Sequence, residues 1–139
     1  MPRTFLVGAW AWIVTGVGHL SLMGVMELGD GNPADDRAVA AAEQVEFALG
    51  GIQRTLHEVN LGINFVMSIA LVFGGLVCLV AAKAAPVPRA LAGLGLGTSL
   101  ALLAVAVLLL PSPPIVLFAV ASVAFGHAFA VTGRTRVAS

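Results

Sequence analysis

The sequence predicts an all-α membrane protein: a four-transmembrane-helix up-down-up-down bundle with a short outward-facing amphipathic helix between spans 1 and 2. Hydrophobic residues make up 59% of the 139 residues and charged residues only 10%, and the mean hydropathy is +1.01. So few charges cannot cover a water-solvated surface. Four long apolar runs are each close to the ~20 residues that cross a hydrocarbon core. Short connections after the second and third runs make consecutive helices antiparallel neighbours.

The four runs define a single integral membrane domain over residues 1–139. Its spans are predicted at 4–26, 52–82, 90–110 and 114–132. The sequence "PSPP", at 111–114, predicts a short rigid connection between the last two. Alternating runs of roughly ten residues, which a membrane barrel needs, are absent from the sequence. Helices therefore satisfy the backbone hydrogen bonds inside the lipid.

The segment between the first two spans is predicted to form an amphipathic helix over 33–49. Asn32 followed by Pro33 is typical of a helix N-cap with proline at the first helical position. Apolar residues then recur at helical spacing at Val39, Ala42, Val45 and Leu49. Gly50 and Gly51 are expected to interrupt this helix before the second span.

Charge predicts the orientation. All seven acidic residues lie between the first span and the start of the second. Five of the seven basic residues fall on the opposite side: Arg3, Lys83, Arg89, Arg134 and Arg136. Because cytoplasmic loops carry an excess of Lys and Arg, both termini are expected in the cytoplasm. A formal net charge of zero gives nucleic-acid binding no support.

A polar stripe is predicted at the start of the second span. If one helix continues through this region, six polar residues fall within an arc of roughly 80°. They are Glu46, Gln53, His57, Asn60, Asn64 and Ser68. Arg54 and Glu58 lie to one side as an i, i+4 pair that can neutralise each other. Polar groups at membrane depth are unfavourable against lipid, so the stripe is expected to face the bundle interior.

The first span carries a matching face formed by Trp12, Thr15, His19 and Met23. If this face of the first span turns toward the polar stripe of the second, the two faces enclose a polar pocket in the outward half of the bundle. Such a pocket suits a lipid-soluble molecule of sterol, terpenoid, quinone or polyketide type, for which the third and fourth spans supply apolar walls. The ligand-binding candidates are His19, Gln53, Arg54, Asn60, Asn64 and Trp12.

Acid–base chemistry is the catalytic hypothesis for this pocket. His57 beside Glu58 or Glu46 can transfer protons near neutral pH. No nucleophile arrangement or nucleotide fingerprint is present, and no cofactor is predicted. The pattern leaves open whether the protein is an enzyme. It also leaves open that Asn, His and Ser only hold the bundle together through hydrogen bonds between helices.

A metal or haem site is disfavoured by the depths of the three histidines. Counted along straight helices from the cytoplasmic charges, His127 lies about 10 Å up, His19 about 24 Å and His57 about 39 Å. His19 and His127 are therefore too far apart to share one ion, and the gap of about 15 Å between His57 and His19 disfavours a bis-histidine haem or a three-histidine zinc site.

Partner binding is the main alternative. Gly93, Gly97 and Ala101 repeat every four residues and form a groove where another helix can approach closely. The groove can serve packing within the chain, a homodimer or a larger membrane complex. An accessory or assembly subunit is therefore the second functional hypothesis, and a small dimeric transporter is the third.

The chain resembles small four-helix bacterial membrane proteins related broadly to the DoxX-like group. The resemblance rests on "GVGHL" at the end of the first span, on "FALGGIQRTLHEVNLGINFVMSIALVFGG", and on two plainer spans after it. It implies a multi-pass protein of the bacterial cytoplasmic (inner) membrane. Many members have no known activity and some are linked to quinone-coupled oxidation, but no residue role carries over. In topology the chain is also similar, more distantly, to four-helix sterol isomerases, which hold acid–base residues within a bundle.

Overall fold

The computed structural model describes residues 3–28, 32–84 and 86–134. Within these ranges five helices form, α1 (Arg3–Leu28), α2 (Pro33–Glu43), α3 (Leu56–Ala84), α4 (Arg89–Leu109) and α5 (Ser112–Arg134). All but α2 are long and apolar enough to cross a membrane. The prediction of four long apolar helices, each able by length and composition to span a membrane, is confirmed.

A two-stranded antiparallel hairpin separates α2 from α3, where the sequence predicted helix. Its strands are β1 (Glu46–Leu49) and β2 (Ile52–Thr55). Gly50 and Gly51 join them with φ values of 59° and 84°. A two-residue turn with both φ values positive matches the twist of the strands, and glycine adopts that backbone readily. The predicted helical ranges 33–49 and 52–82 are therefore wrong over the hairpin.

The start of α2 agrees with the sequence. The Asn32 side chain accepts a hydrogen bond from the backbone N–H of Ala34 at 3.0 Å, and Pro33 opens the helix. This cap satisfies one of the amide groups that lack partners at a helix start. No residue of α2 is buried. Its amphipathic character and its outward orientation stay predictions.

Two of the four long helices, α3 and α4, are in weak contact, and we call the boundary between them the seam. Close packing joins α1 with α3, α1 with α5, and α4 with α5. The second and third spans, α3 and α4, make little contact with one another, so the prediction that consecutive spans are neighbours is wrong for this pair. Gly16 lies against Ser68 and Gly75 lies against Ala9, so α1 and α3 run antiparallel. We call the end with the start of α1 the terminal end, and the opposite end, with β1 and β2, the hairpin end.

An aromatic cluster fastens α1, α4 and α5. The ring of Phe125 meets those of Phe5 and Trp12 edge-on, each at 5.3 Å between ring centroids. Gly8 and Gly95 lie against the same ring, and a Cβ at either position would come within 2.8 Å of it. The indole Nε1–H of Trp12 donates to the Ser99 hydroxyl at 2.9 Å. The buried indole donor is thus satisfied, as burial requires.

Backbone contact between α1 and α3 depends on two glycines. A Cβ at Gly16 would lie 2.6 Å from the Ser68 carbonyl oxygen, and one at Gly75 would lie 2.7 Å from that of Ala9. Small residues allow this close approach of membrane helices.

The predicted groove on α4 has a smaller part in packing within the chain. A Cβ at Gly93 would lie 3.2 Å from the ring of Phe129, but one at Gly97 would meet nothing within 4 Å. Ala101 is exposed. Gly97 and Ala101 therefore do not hold another helix of the described chain.

Candidate ligand-binding cavity

A cavity of about 320 Å³ lies in the bundle near the hairpin end. Its walls come from α1, α4, the α4–α5 connection and α5, with Met67 as the single contribution of α3. Among its lining residues only Thr15 and His19 carry polar side chains. The volume lies within the range of small-molecule pockets, about 300–1,000 Å³. It is about twice that of an engineered apolar cavity that binds benzene.

The imidazole of His19 contacts a side chain of α3, Asn64, that does not itself line the cavity. Its Nε2 lies 3.2 Å from the side-chain oxygen of Asn64. The Asn64 amide nitrogen donates to the backbone carbonyl of Asn60 at 2.9 Å and lies 3.3 Å from the Asn60 side-chain oxygen. These contacts fix the Asn64 amide, so it positions the histidine ring.

The other polar lining residue, Thr15, is less able to donate a hydrogen bond to a guest. Its hydroxyl donates to the Ala11 carbonyl, one helical turn earlier, at 2.8 Å. Its proton is therefore used within α1. His19 is left as the main polar group that the cavity offers to a guest.

Part of the predicted polar stripe exists. Asn60, Asn64 and Ser68 lie one turn apart on α3, and the Ser68 hydroxyl donates to the Asn64 carbonyl at 2.8 Å. The predicted meeting of this face with His19 on α1 is observed. Of the predicted ligand-binding residues, His19 lines the cavity, and Asn64 and Asn60 stand behind it.

Trp12 has a different place from the one expected. Its ring packs against Phe125 in the aromatic cluster, and its N–H is engaged by Ser99. It is not among the residues that line the cavity. The helical face that contains Trp12 and His19 therefore divides into a core part and a cavity part.

Glu46 and Gln53 do not belong to the stripe. Both are exposed and lie on the hairpin, where Glu46 pairs with Thr55 and Gln53 pairs with Ala48. A helical period cannot be continued through extended backbone. The hairpin signal was the Gly-Gly pair between two short runs that contain aromatic and β-branched residues.

Glu58 has a structural role at the start of α3. Its carboxylate accepts from the backbone N–H of Thr55 at 3.0 Å, while the Thr55 hydroxyl accepts from the N–H of Glu58 at 3.1 Å. This reciprocal pair is a capping box, which the spacing Thr-x-x-Glu could have revealed. The other carboxylate oxygen lies 3.9 Å from a guanidinium nitrogen of Arg54, so the predicted pair is present across the strand–helix junction.

The predicted catalytic set does not gather at the cavity. His57 is half-buried in the first turn of α3, Glu58 caps that turn, and Glu46 lies on β1. None of the three is a lining residue. Across the described ranges, no three His, Cys, Asp or Glu residues form a cluster that could hold a metal ion.

An open groove of about 500 Å³ runs along the outer side of α3. It extends from Arg54 and Glu58 through Gly62 and Ile63 to Met67. Met67 also lines the cavity. This one flexible side chain therefore borders both spaces.

Three prolines line the cavity, a role that the sequence did not indicate. Pro111, Pro113 and Pro114 line the cavity at the hairpin end. They stand at the junction of α4 and α5, where the sequence predicted only a connection. His127, in contrast, lies toward the terminal end, where its Nδ1 is 3.2 Å from the Thr4 hydroxyl.

Comparison of the chain with protein-family models, with curated proteins and with solved structures finds no match in any of the three. The resemblance to the DoxX-like group therefore stays a prediction.

Proposed function

We propose that this protein is a multi-pass membrane protein that binds a small lipid-soluble molecule in the His19 cavity. The observation that carries the proposal is one positioned imidazole in a largely apolar space of about 320 Å³. Ligand pockets combine mostly apolar walls with a few placed polar groups that fix orientation. The guest's polar atom binds His19, and its apolar body contacts Val14, Leu102 and Phe118.

The cavity volume narrows the ligand class. An apolar cavity of about 150 Å³ accommodates one benzene ring, so a space about twice that size has room for about two rings. A terpenoid or a quinone-sized ring system fits that size. A four-ring sterol or a large polyketide exceeds it and would have to project from the bundle.

The guest reaches the cavity from the bilayer through the seam between α3 and α4. These helices make little contact, and Met67 is the one α3 residue in the cavity wall. The groove on the other side of Met67 faces outward from the bundle. Two of its lining side chains are largely exposed, Ile63 by 63% and Val66 by 69%. Methionine is unbranched and adapts its shape readily, so it can move aside.

The proposed topology is an up-down-up-down bundle with both termini in the cytoplasm. The antiparallel contacts of α1 with α3 support the alternation. The basic residues Arg3, Lys83 and Arg89 lie at helix ends of the terminal end and support the orientation. In this topology the cavity lies in the outward half of the membrane.

Binding rather than catalysis is the proposed activity. The two Glu58 oxygens are engaged by Thr55 and Arg54, and Glu46 is on the hairpin. If the protein is an enzyme, His19 is the residue placed to exchange a proton with the guest.

Co-purification tests the proposal. The wild type, His19→Ala and the control His127→Ala are purified in mild detergent, and the small molecules that accompany each are extracted and identified by mass spectrometry. One defined compound should be retained by wild type and His127→Ala and be lost from His19→Ala. A compound retained equally by all three, or none in wild type, contradicts the proposal.

The second candidate is an accessory subunit, favoured by the uncovered Gly97 and Ala101 face of α4. In that case a homodimer or a larger membrane complex covers Gly93, Gly97 and Ala101. A defined protein partner in the same purification, with no small molecule, would favour this alternative.

A further inference from the structure

We infer that the cavity selects guests that donate a hydrogen bond, such as phenols and alcohols, over guests that only accept one, such as ketones and ethers. The inference rests on the proposed function and specifies its ligand. It follows from the orientation of one amide and the hydrogen that this orientation assigns to His19.

The Asn64 amide has one orientation compatible with its neighbours. The group that faces the Asn60 backbone carbonyl, at 2.9 Å, has to be a donor, because a carbonyl oxygen only accepts. The amide nitrogen therefore faces Asn60 and the amide oxygen faces His19. A flipped amide would set two oxygens against each other.

This orientation determines the histidine tautomer. The Asn64 oxygen can only accept, so Nε2 of His19, 3.2 Å away, carries the hydrogen. In a neutral imidazole the other nitrogen then has no hydrogen and acts as an acceptor. The ring nitrogen left for a guest is Nδ1, for which no other described residue supplies a hydrogen-bond partner.

An acceptor at the cavity wall discriminates between functional groups. A hydroxyl donates to Nδ1, whereas a carbonyl or ether oxygen meets it lone pair to lone pair. The Thr15 hydroxyl does not offer a ketone or an ether a donor in place of His19, since its proton is directed to the Ala11 carbonyl. The protein is therefore suited to a phenol or a terpenoid-type alcohol rather than to the corresponding ketone or ether.

Two matched probes test the selectivity. 1-Naphthol and 1-methoxynaphthalene share the two-ring body, but only the first donates a hydrogen bond. Calorimetric titration of protein in detergent, with a protein-free micelle blank, measures both affinities. We expect 1-naphthol to bind roughly three- to tenfold more tightly, the effect of one net hydrogen bond.

Two variants locate the origin of the preference. Asn64→Ala removes the group that assigns the hydrogen and should reduce the preference. Ser21→Ala is the control, because Ser21 lies on the same helix as His19, donates only to the Val17 carbonyl and does not line the cavity, so the preference should stay intact. Nitrogen NMR of protein labelled with ¹⁵N-histidine, with His19→Gln for assignment, reads the tautomer directly.

Each outcome has a distinct meaning. An unprotonated Nδ1 and a preference for 1-naphthol support the inference. Equal binding of both probes, a preference for the ether, or a protonated Nδ1 overturns the inference while leaving a binding cavity. No saturable binding of either probe overturns the inference and the proposed function together.

Discussion

His19 and Asn64 are 45 residues apart in the chain, and their side chains meet across the α1–α3 interface with Nε2 and Oδ1 3.2 Å apart. Hydrogen bonds of this kind between membrane helices contribute about 0.6–2 kcal/mol. The same contact positions the imidazole at the cavity. Tests of binding must therefore separate loss of a ligand contact from loss of helix packing.

Filling the cavity should abolish binding without unfolding the protein. Gly18 lines the cavity, and a Cβ there would meet nothing within 4 Å. Gly18→Leu should place its side chain in the guest's space, lower 1-naphthol affinity at least about tenfold, and leave the unfolding temperature unchanged or raised. Gly24→Leu is the matched control, since Gly24 has open space on the same helix but does not line the cavity. Equal affinities in both variants would contradict this location.

Obstructing the seam should slow exchange of the guest. Met67 borders both the cavity and the outer groove, whereas its neighbour Val66 borders only the groove. In stopped-flow experiments with the protein in nanodiscs, Met67→Trp should slow association of 1-naphthol roughly tenfold or more, because a large ring moves aside less readily than methionine. Val66→Trp should change the rate little. The same rate in both variants would exclude the route past Met67.

The capping box predicts that Glu58 acts in folding. Thr55→Ala removes the hydroxyl that accepts from the Glu58 amide and should cost about 0.5–2 kcal/mol of stability. Glu58→Gln should be tolerated, because glutamine also completes a capping box. Both variants should bind 1-naphthol as wild type does, with stability followed by unfolding in mixed micelles. Loss of binding in Glu58→Gln at unchanged stability would restore Glu58 to the site.

Glycine contact between α1 and α3 should govern stability. Gly75→Ala places a Cβ 2.7 Å from the Ala9 carbonyl and forces the helices apart. The expected cost is about 1–3 kcal/mol, measured by unfolding in mixed micelles. Gly62→Ala is the control on the same helix, where a Cβ meets nothing within 4 Å, and it should gain about 0.5–1 kcal/mol. Equal effects would show that this contact does not limit packing.

Hydropathy alone predicted most of the helical framework. The predicted spans 4–26, 90–110 and 114–132 compare with Arg3–Leu28, Arg89–Leu109 and Ser112–Arg134. Lipid requires each crossing segment to satisfy its backbone internally, so a long apolar run has few alternatives to a helix. The second span began too early because helical periodicity was continued through Gly50 and Gly51, where two short strands pair instead.

The site was predictable only where it is polar. Helical spacing placed His19 and Asn64 on facing surfaces, since a polar group in a membrane helix must turn away from lipid. The apolar wall could not be identified in this way, because Leu102, Val105 and Phe118 resemble many other residues of the same spans. Which apolar side chains enclose a cavity depends on how the helices pack, and periodicity along one helix does not contain that information.

An experimental structure with 4-bromo-1-naphthol bound tests the central claim most directly, because anomalous scattering from bromine locates the guest without reference to the protein. We expect one bromine peak inside the cavity, between Leu102 and Phe118, with the hydroxyl oxygen about 2.7–3.0 Å from Nδ1 of His19. A peak confined to the groove beside Ile63 and Val66, or no ordered guest at saturating concentration, would contradict the account.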